Sequence, residues 1–489
     1  MKSVSLYTSA PQLSNDMAEV LRVYMGNITL LVNEPGGDFC MTHSEEIVGN
    51  VRRVRIVMGE SFAEEESKLT GDEVIDKRLR RRMAKLCTYQ LMKKHFGITP
   101  PWGSLTGIRP TRLVYAEMEK GKSLHDAAQE VQRIFDVSDE KLAIMRDIIT
   151  VQQTLPQPAS DEVDIYIGIP FCVSRCAYCS FLSGEVGKGE LLEPYVSAVE
   201  REIAASVTLL KEKNLRPRTF YMGGGTPTSL PAPLLSRVLT AARPLMDQCS
   251  EVTVEAGRPD TIDRAKLQAL KDARVTRISV NPQTKHDVTL EKIGRRHTCA
   301  QTESAFYLAR EMDFSHINMD LIAGLPGENL DMFNETLAWL RGLSPESMTV
   351  HTLSIKRASL LHLWEASLPD GGMVADMVRA GADTARVLGM QPYYLYRQKY
   401  MAGNQENVGY ALPDHACVYN IDMMEETANI LAMGAGATTK RLFDRKGFIK
   451  RAFNVSDIRQ YIERVDEMVE RKRELWEMDE EETEGTVLS

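Results

Sequence analysis

Residues 164–181 read DIYIGIPFCVSRCAYCSF, a strand-forming run that passes through Pro170 straight into three cysteines. Cys172, Cys176 and Cys179 follow the spacing C-x3-C-x2-C, on the loop immediately after the candidate strand Asp164–Ile169. In a reducing compartment such a cluster binds metal or does redox chemistry more often than it forms disulfides. A closed zinc site usually takes four ligands from two separated pairs, and no second pair follows here. Soft thiolates suit an iron–sulfur cluster, in which each cysteine usually takes one iron, so three would leave one iron of a 4Fe-4S cube open to another ligand. Cys40, Cys87, Cys249, Cys299 and Cys417 are scattered and read as isolated residues.

Downstream of this loop the chain keeps one rhythm. Candidate strands recur at Asp164–Ile169, Thr219–Met222, Glu251–Glu255, Thr276–Val280, His316–Leu321 and Ser347–Leu353. The segments between them, such as Pro194–Lys211, Leu234–Ala242, Ala265–Ala273, Ala300–Met312 and Leu330–Leu340, carry helical periodicity. Six sequential βα units predict an α/β fold, a full or partial (β/α)6 barrel whose site lies at the C-terminal ends of the strands.

Three regions are expected: an N-terminal α/β domain over 1–155, the barrel over 156–360, and a smaller C-terminal region over 361–489. The first holds strand-like runs at Ser3–Tyr7 and Val51–Met58 and a helical segment Asp76–Phe96. In that segment Lys77, Arg78, Arg80, Arg81, Arg82 and Lys85 interleave with Leu79, Met83, Leu86 and Leu91, which reads as a solvated face over an apolar stripe. Pro100–Arg112 reads as a loop and Thr154–Asp161 as a linker. Beyond Lys356 a Tyr- and Gly-rich stretch follows (Tyr393, Tyr394, Tyr396, Tyr400, Gly403, Gly409, Tyr410). Ser456 reads as the N-cap of an amphipathic helix carrying Ile458, Tyr461, Ile462, Val465, Met468 and Val469, and Asp479–Glu484 as an acidic tail.

The 489 residues suit two to four domains at roughly 100 to 200 residues each. A 26% charged and 43% hydrophobic composition is that of a globular protein, neither fibrous nor disordered. The net charge of -9 offers no basic field for nucleic acid, which makes such a partner unlikely and leaves any anionic substrate to local Arg or Lys. No stretch reaches the roughly 18 apolar residues of a spanning helix, and Met1–Ser14 lacks a signal-like core, so a cytoplasmic protein is expected.

The string YIGIPFCVSRCAYCSF resembles the radical S-adenosylmethionine (SAM) enzymes, and among them the oxygen-independent coproporphyrinogen III oxidase group with its haem-chaperone relatives. YMGGGTPTSL (221–230), ending the second strand, is similar to that family's GGGTP motif. Glycines there would let backbone approach a ligand closely, with free N–H and C=O groups facing it. PWGSLTGIRPTR (101–112), the segment 397–426 and ILAMGAGATTK (430–440) resemble one subgroup in particular, so the resemblance spans nearly the whole chain. It implies that Cys172, Cys176 and Cys179 hold a 4Fe-4S cluster. It also implies that Tyr166, Tyr178, Gly224, Gly225, Thr226, Glu255, Gln283, Arg295 and Asp320 contact SAM, with Ser354 a further contact. Arg295 would meet the SAM carboxylate, Tyr178 would pack near adenine, and acidic or amide groups would take ribose hydroxyls.

The activity implied is oxidative decarboxylation of coproporphyrinogen propionates to vinyl groups. A tetrapyrrole would be the substrate, and an electron donor would serve the cluster. Phe181 stands where the best understood oxidases carry a further cysteine, and the haem-chaperone branch also has Phe there. A haem-delivery protein with His415 and Cys417 as candidate axial ligands therefore stays open beside the oxidase, as does a radical SAM enzyme acting on another substrate. Candidate cations for substrate carboxylates are Arg175, Lys356, Arg357, Arg397 and Lys399.

Overall fold

A computed structural model describes residues 2–179, 184–356, 359–363, 369–399, 401–443 and 448–478. Phe181, Arg357, Tyr400 and the acidic run Asp479–Glu484 lie outside them.

The N-terminal region forms a five-stranded sheet of β1 (Lys2–Thr8), β2 (Ile28–Val32), β3 (Phe39–Val48), β4 (Val51–Met58) and β5 (Ser61–Lys68), in the order β2-β1-β3-β4-β5. The helices Ser14–Met25 and Glu73–Phe96 supply Met17, Leu21, Met83, Cys87 and Leu91 to a core with Leu6, Met41, Val54 and Ile56. β2, β3 and β5 are not among the expected strands; in β5, SFAEEESK, Ala63 is buried while the neighbouring Phe62 faces solvent. The long helix starts three residues earlier than Asp76. Asp72 accepts from the Val74 and Ile75 amides there, and Gly97, at φ 67°, ends the helix. Three of its six basic residues named above are paired: Arg80 with Glu45, Arg81 with Asp16 at 2.9 Å, and Lys85 with Glu19 at 2.7 Å.

All six expected barrel strands form. They are β6 (Glu162–Ile169), then, after the two-residue pair β7 (Phe171–Cys172) and β8 (Gly184–Glu185), β9 (Arg216–Gly224), β10 (Glu251–Gly257), β11 (Arg277–Val280), β12 (Ile317–Ala323) and β13 (Ser347–Thr352). The six are parallel and adjacent in sequence order, joined by helices such as Leu192–Glu212, Ala232–Met246, Arg264–Asp272, Cys299–Glu311 and Leu330–Leu343. Side chains alternate along each strand. On β6, Ile165, Ile167 and Ile169 are fully buried in the main apolar core, while Tyr166 between them stacks with Tyr221 of β9.

Strands from the region expected over 361–489 pair with this sheet at both edges. β14 (Gln391–Tyr396) and β15 (Asn407–Ala411) add antiparallel beyond β13. β16 (Asn429–Met433) returns to pair parallel with β6, followed by β17 (Thr438–Leu442) and β18 (Ile449–Phe453). The resulting order is β14-β15-β13-β12-β11-β10-β9-β6-β16-β17-β18, with the six parallel barrel strands consecutive within it.

The segment 100–112, expected as a loop, turns Trp102, Ser104 and Leu105 inward and exposes Ile108, and from Pro110 it is the first turn of the helix Pro110–Met118. Trp102 is fully buried, donates from Nε1 to Glu406 at 2.8 Å, and lies 5.0 Å beneath the guanidinium of Arg397. Thr111 donates to Glu425 at 2.6 Å. Glu406 also holds the buried Lys141 at 2.6 Å, so the N-terminal region and the C-terminal strands share one charged seam. At the other end Asp457, not Ser456, caps the helix Ile458–Glu463, because its carboxylate reaches the Gln460 amide at 2.9 Å. A break at Arg464 separates that helix from Val465–Glu477.

Candidate active site

The cysteine loop is held from two sides. After β9, the Gly225 amide donates to the Ile169 carbonyl at 2.8 Å and the Thr226 amide to the Phe171 carbonyl at 2.7 Å. A Cβ on Gly225 would stand 2.6 Å from the Phe171 oxygen and 2.8 Å from its nitrogen, so only glycine admits this approach. This corrects the expectation of free backbone groups in the GGGTP run: two of its amides bind the cysteine loop itself. Thr226 also brings its hydroxyl to 3.6 Å from Cys172 Sγ.

From the other side, the turn KIGRRH (292–297) meets the middle of the loop. Ala177 donates its amide to the Ile293 carbonyl at 2.8 Å, and Ser174 its hydroxyl to the Gly294 carbonyl at 3.1 Å. Cys176 is buried, whereas Cys172 and Cys179 are partly exposed. Arg258, at the end of β10, donates to Ser174 and reaches 4.0 Å from Cys176 Sγ.

At the mouth, Glu255 of β10 accepts from the Tyr221 hydroxyl. Burial lifts the Glu255 carboxyl from 4.5 to about 7, with the negative charge of Asp320 adding to the push against the Tyr221 hydrogen bond. Asp320 itself stays below the usual carboxylate range: burial opposes its charge, but His351 at 3.6 Å and Asn318 at 2.8 Å outweigh it. Gln283 follows β11 with a positive φ of 70°; its backbone bridges to β12 through the Asp320 carbonyl and the Ile322 amide, and its buried Oε1 has no partner. Arg295 donates to the Asn281 carbonyl at 2.7 Å, and its Nε is unpartnered. Burial opposes the charge of Arg295, yet the neighbouring Tyr178 and Cys176 hold it firmly protonated.

Tyr178 packs against an apolar cluster that includes Leu290, Ile293 and Leu361. Tyr166 lies deeper, in a stack with Tyr221 and Tyr419. Gly224 takes φ 104° beside Ile169 and the Tyr166 hydroxyl. Ser354 follows β13 and donates its hydroxyl to the Lys399 carbonyl at 2.9 Å. The sequence reading missed Tyr221, His351 and Arg258. Arg258 had a legible signal in VEAGRPD (254–260), an Arg just past a strand end with an Asp two residues on.

The shifted Glu255 makes stability depend on pH. Between pH 4.5 and about 7 the native state keeps a proton that the unfolded chain has released, so its contribution is present below 4.5 and is lost as pH rises through 7. The total is roughly 3 kcal/mol. Glu255→Gln should remove this loss, and urea midpoints of both proteins at about pH 5 and about pH 7.5 check it.

The proposed haem ligands and two of the candidate cations, Arg397 and Lys399, are engaged elsewhere. Cys417 donates its thiol to Glu251 at 3.2 Å, while the His415 ring nitrogen Nδ1 stands 2.8 Å from the Pro413 carbonyl and the His415 carbonyl accepts from Arg277 at 2.9 Å. Glu251 and Arg277 begin β10 and β11, so this cluster lies at the N-terminal end of the barrel, opposite the cysteine loop. Arg397 is buried on the carbonyls of Leu105 and Asn404, and Lys399 pairs with Glu19 at 2.5 Å.

Residues 166–340 match the profile of the radical SAM superfamily. The chain belongs to that superfamily. Within it, the chain is 38% identical over 431 residues, 85% of each chain, to the oxygen-independent coproporphyrinogen-III oxidase-like protein HemZ of Bacillus subtilis. It is 34% identical over 200 residues, 40% of this chain and 52% of the other, to the heme chaperone HemW of the same organism. Among solved structures, the radical SAM coproporphyrinogen III oxidase HemN of Escherichia coli superposes with a TM-score of 0.51, at 21% identity over 65% of this chain and 72% of that one. This last likeness shows the fold alone.

Members of the superfamily bind a 4Fe-4S cluster and SAM. The donor set fits the cluster: three soft thiols lie on one loop, with the guanidiniums of Arg258 and Arg295 beside Cys176 to offset thiolate charge. Among the described residues no three His, Cys, Asp or Glu side chains converge on a single-ion position. A cubane does not need that convergence, since each of its cysteines meets a different iron. The orphaned Gln283 Oε1 and Arg295 Nε fit a polar ligand at the same mouth. No helix among the described residues is long and apolar enough to cross a membrane.

Proposed function

We propose that the chain is a radical SAM oxidoreductase that converts two propionates of coproporphyrinogen III to vinyl groups, giving protoporphyrinogen IX in haem biosynthesis. The observation that carries this reading is the extent of the likeness to HemZ, 85% of each chain and not the barrel alone. The seating of Cys417 on Glu251, at the far end of the barrel, also favours an enzyme over a haem carrier that would use that thiol as a ligand.

When bound, the cluster and SAM together supply a 5′-deoxyadenosyl radical that abstracts hydrogen. Cys172, Cys176 and Cys179 would hold three irons. Arg295 would bind the SAM carboxylate, Glu255 and Asp320 the ribose hydroxyls, and Gln283 would use its free Oε1 as an acceptor. Tyr178, packed among aliphatic side chains beside Arg295, would wall the adenine side and exclude water. Each propionate loses a hydrogen atom from its β-carbon and one electron to an external acceptor. The bond to its carboxyl carbon breaks, releasing CO2 as the vinyl double bond forms. An electron donor for the cluster is the protein partner this chemistry requires.

The test is anaerobic incubation of the cluster-reconstituted protein with SAM, a reductant and coproporphyrinogen III. A divinyl product accompanied by 5′-deoxyadenosine is expected. Tight haem binding without any vinyl product would overturn the oxidase reading in favour of the chaperone.

A further inference from the structure

One ion pair beside the cysteine loop joins a buried arginine to a more exposed aspartate and contacts neither the proposed SAM site nor a substrate. Arg258 is only 3% exposed. Its Nε and Nη2 are held by the two carboxylate oxygens of Asp260, at 3.0 and 2.7 Å. That leaves Nη1, which donates to the Ser174 hydroxyl at 2.8 Å and carbonyl at 3.1 Å and stands 4.0 Å from Cys176 Sγ. The guanidinium fork is rigid and planar, so the grip of Asp260 on one edge fixes the direction of the other. The backbone secures the pair in turn, because Thr261 donates both its amide, at 3.0 Å, and its hydroxyl, at 2.8 Å, to the Arg258 carbonyl.

We propose that the Arg258–Asp260 pair sets the reduction potential of the cluster through Cys176. Potentials of iron–sulfur clusters respond to local charge, to hydrogen bonds on their sulfurs and to solvent exposure. Reduction adds negative charge, so a buried cation at Cys176 favours the reduced state and raises the potential, while the carboxylate of Asp260 offsets part of that charge. The two residues therefore act with opposite signs. Arg258 is a positioning residue here and touches no substrate. The inference rests on membership of the radical SAM superfamily and not on the tetrapyrrole reading, so either can fail without the other.

The test is a redox titration of the reconstituted protein followed by electron paramagnetic resonance, with no tetrapyrrole present. Arg258→Met should lower the reduced-to-oxidised ratio at fixed potential about tenfold, a shift of about 59 mV for a one-electron couple. Asp260→Asn should move the ratio the other way. Ratios within about threefold of the parent in both variants would overturn the proposal. So would shifts of the same sign, which a general loosening of the loop would cause. Loss of iron from both variants with an unchanged far-ultraviolet spectrum would reduce the pair to a loop-holding role and overturn it equally.

Discussion

Cys176→Ala should abolish reductive cleavage of SAM, with 5′-deoxyadenosine falling to background and the iron content collapsing. The thiol lies between two guanidiniums, on a loop clamped by Gly225, Thr226, Ile293 and Gly294. Those clamps are three backbone hydrogen bonds and the Ser174 hydroxyl on the Gly294 carbonyl, none of which uses the thiol. The variant should therefore keep its far-ultraviolet spectrum while losing the cluster. Cys299→Ala is the matched control. It removes a partly exposed cysteine from the first turn of a surface helix, and both activity and iron should stay at parent levels. A Cys176→Ala protein that still carried its iron and cleaved SAM would contradict the ligand assignment.

Lys472→Met should destabilise the fold by about 3 to 5 kcal/mol, the usual cost of breaking a buried ion pair by removing one partner. Lys472 is 2% exposed and Glu202 fully buried. Glu202 also accepts from the Tyr461 hydroxyl at 2.5 Å, Asn454 at 2.7 Å and the Gly434 amide at 2.8 Å. The network thus joins the C-terminal helix to the first barrel helix and to the turn after β16. Without Lys472 the carboxylate keeps three neutral donors but no countercharge. The drop should appear as a lower urea midpoint, and Glu202→Gln added to Lys472→Met should recover much of it. A lone Lys472→Met that unfolds at the parent midpoint would show that the pair contributes nothing net.

The six barrel strands were legible because short runs carrying apolar residues at alternate positions, such as EVTVE and TRISV, recur between segments of helical periodicity. The strands of the C-terminal region were not. QPYYLY and NVGYA owe their place to the open edge of β13, and β16 pairs with β6 across more than half the chain, a contact that no local pattern encodes. Glu255, Gln283, Arg295 and Asp320 could be found because polar groups at successive strand ends share one mouth. Tyr221 was hidden because an inward aromatic on a buried strand looks like core, and its contact with Glu255 exists only once β9 and β10 pair. Ser354 fell on the right loop, yet its hydroxyl is committed to the Lys399 carbonyl. The glycine run pointed correctly to a close approach. The approaching group is the Phe171 backbone at Gly225, a distinction set by tertiary packing.

The measurement that goes most directly to the central claim follows one atom. Coproporphyrinogen III carrying deuterium on its propionate β-carbons is incubated anaerobically with the reconstituted protein, SAM and reductant, and the 5′-deoxyadenosine is weighed by mass spectrometry. The account predicts one deuterium in the 5′-deoxyadenosine for each vinyl group formed. Unlabelled 5′-deoxyadenosine released beside unchanged substrate would contradict it.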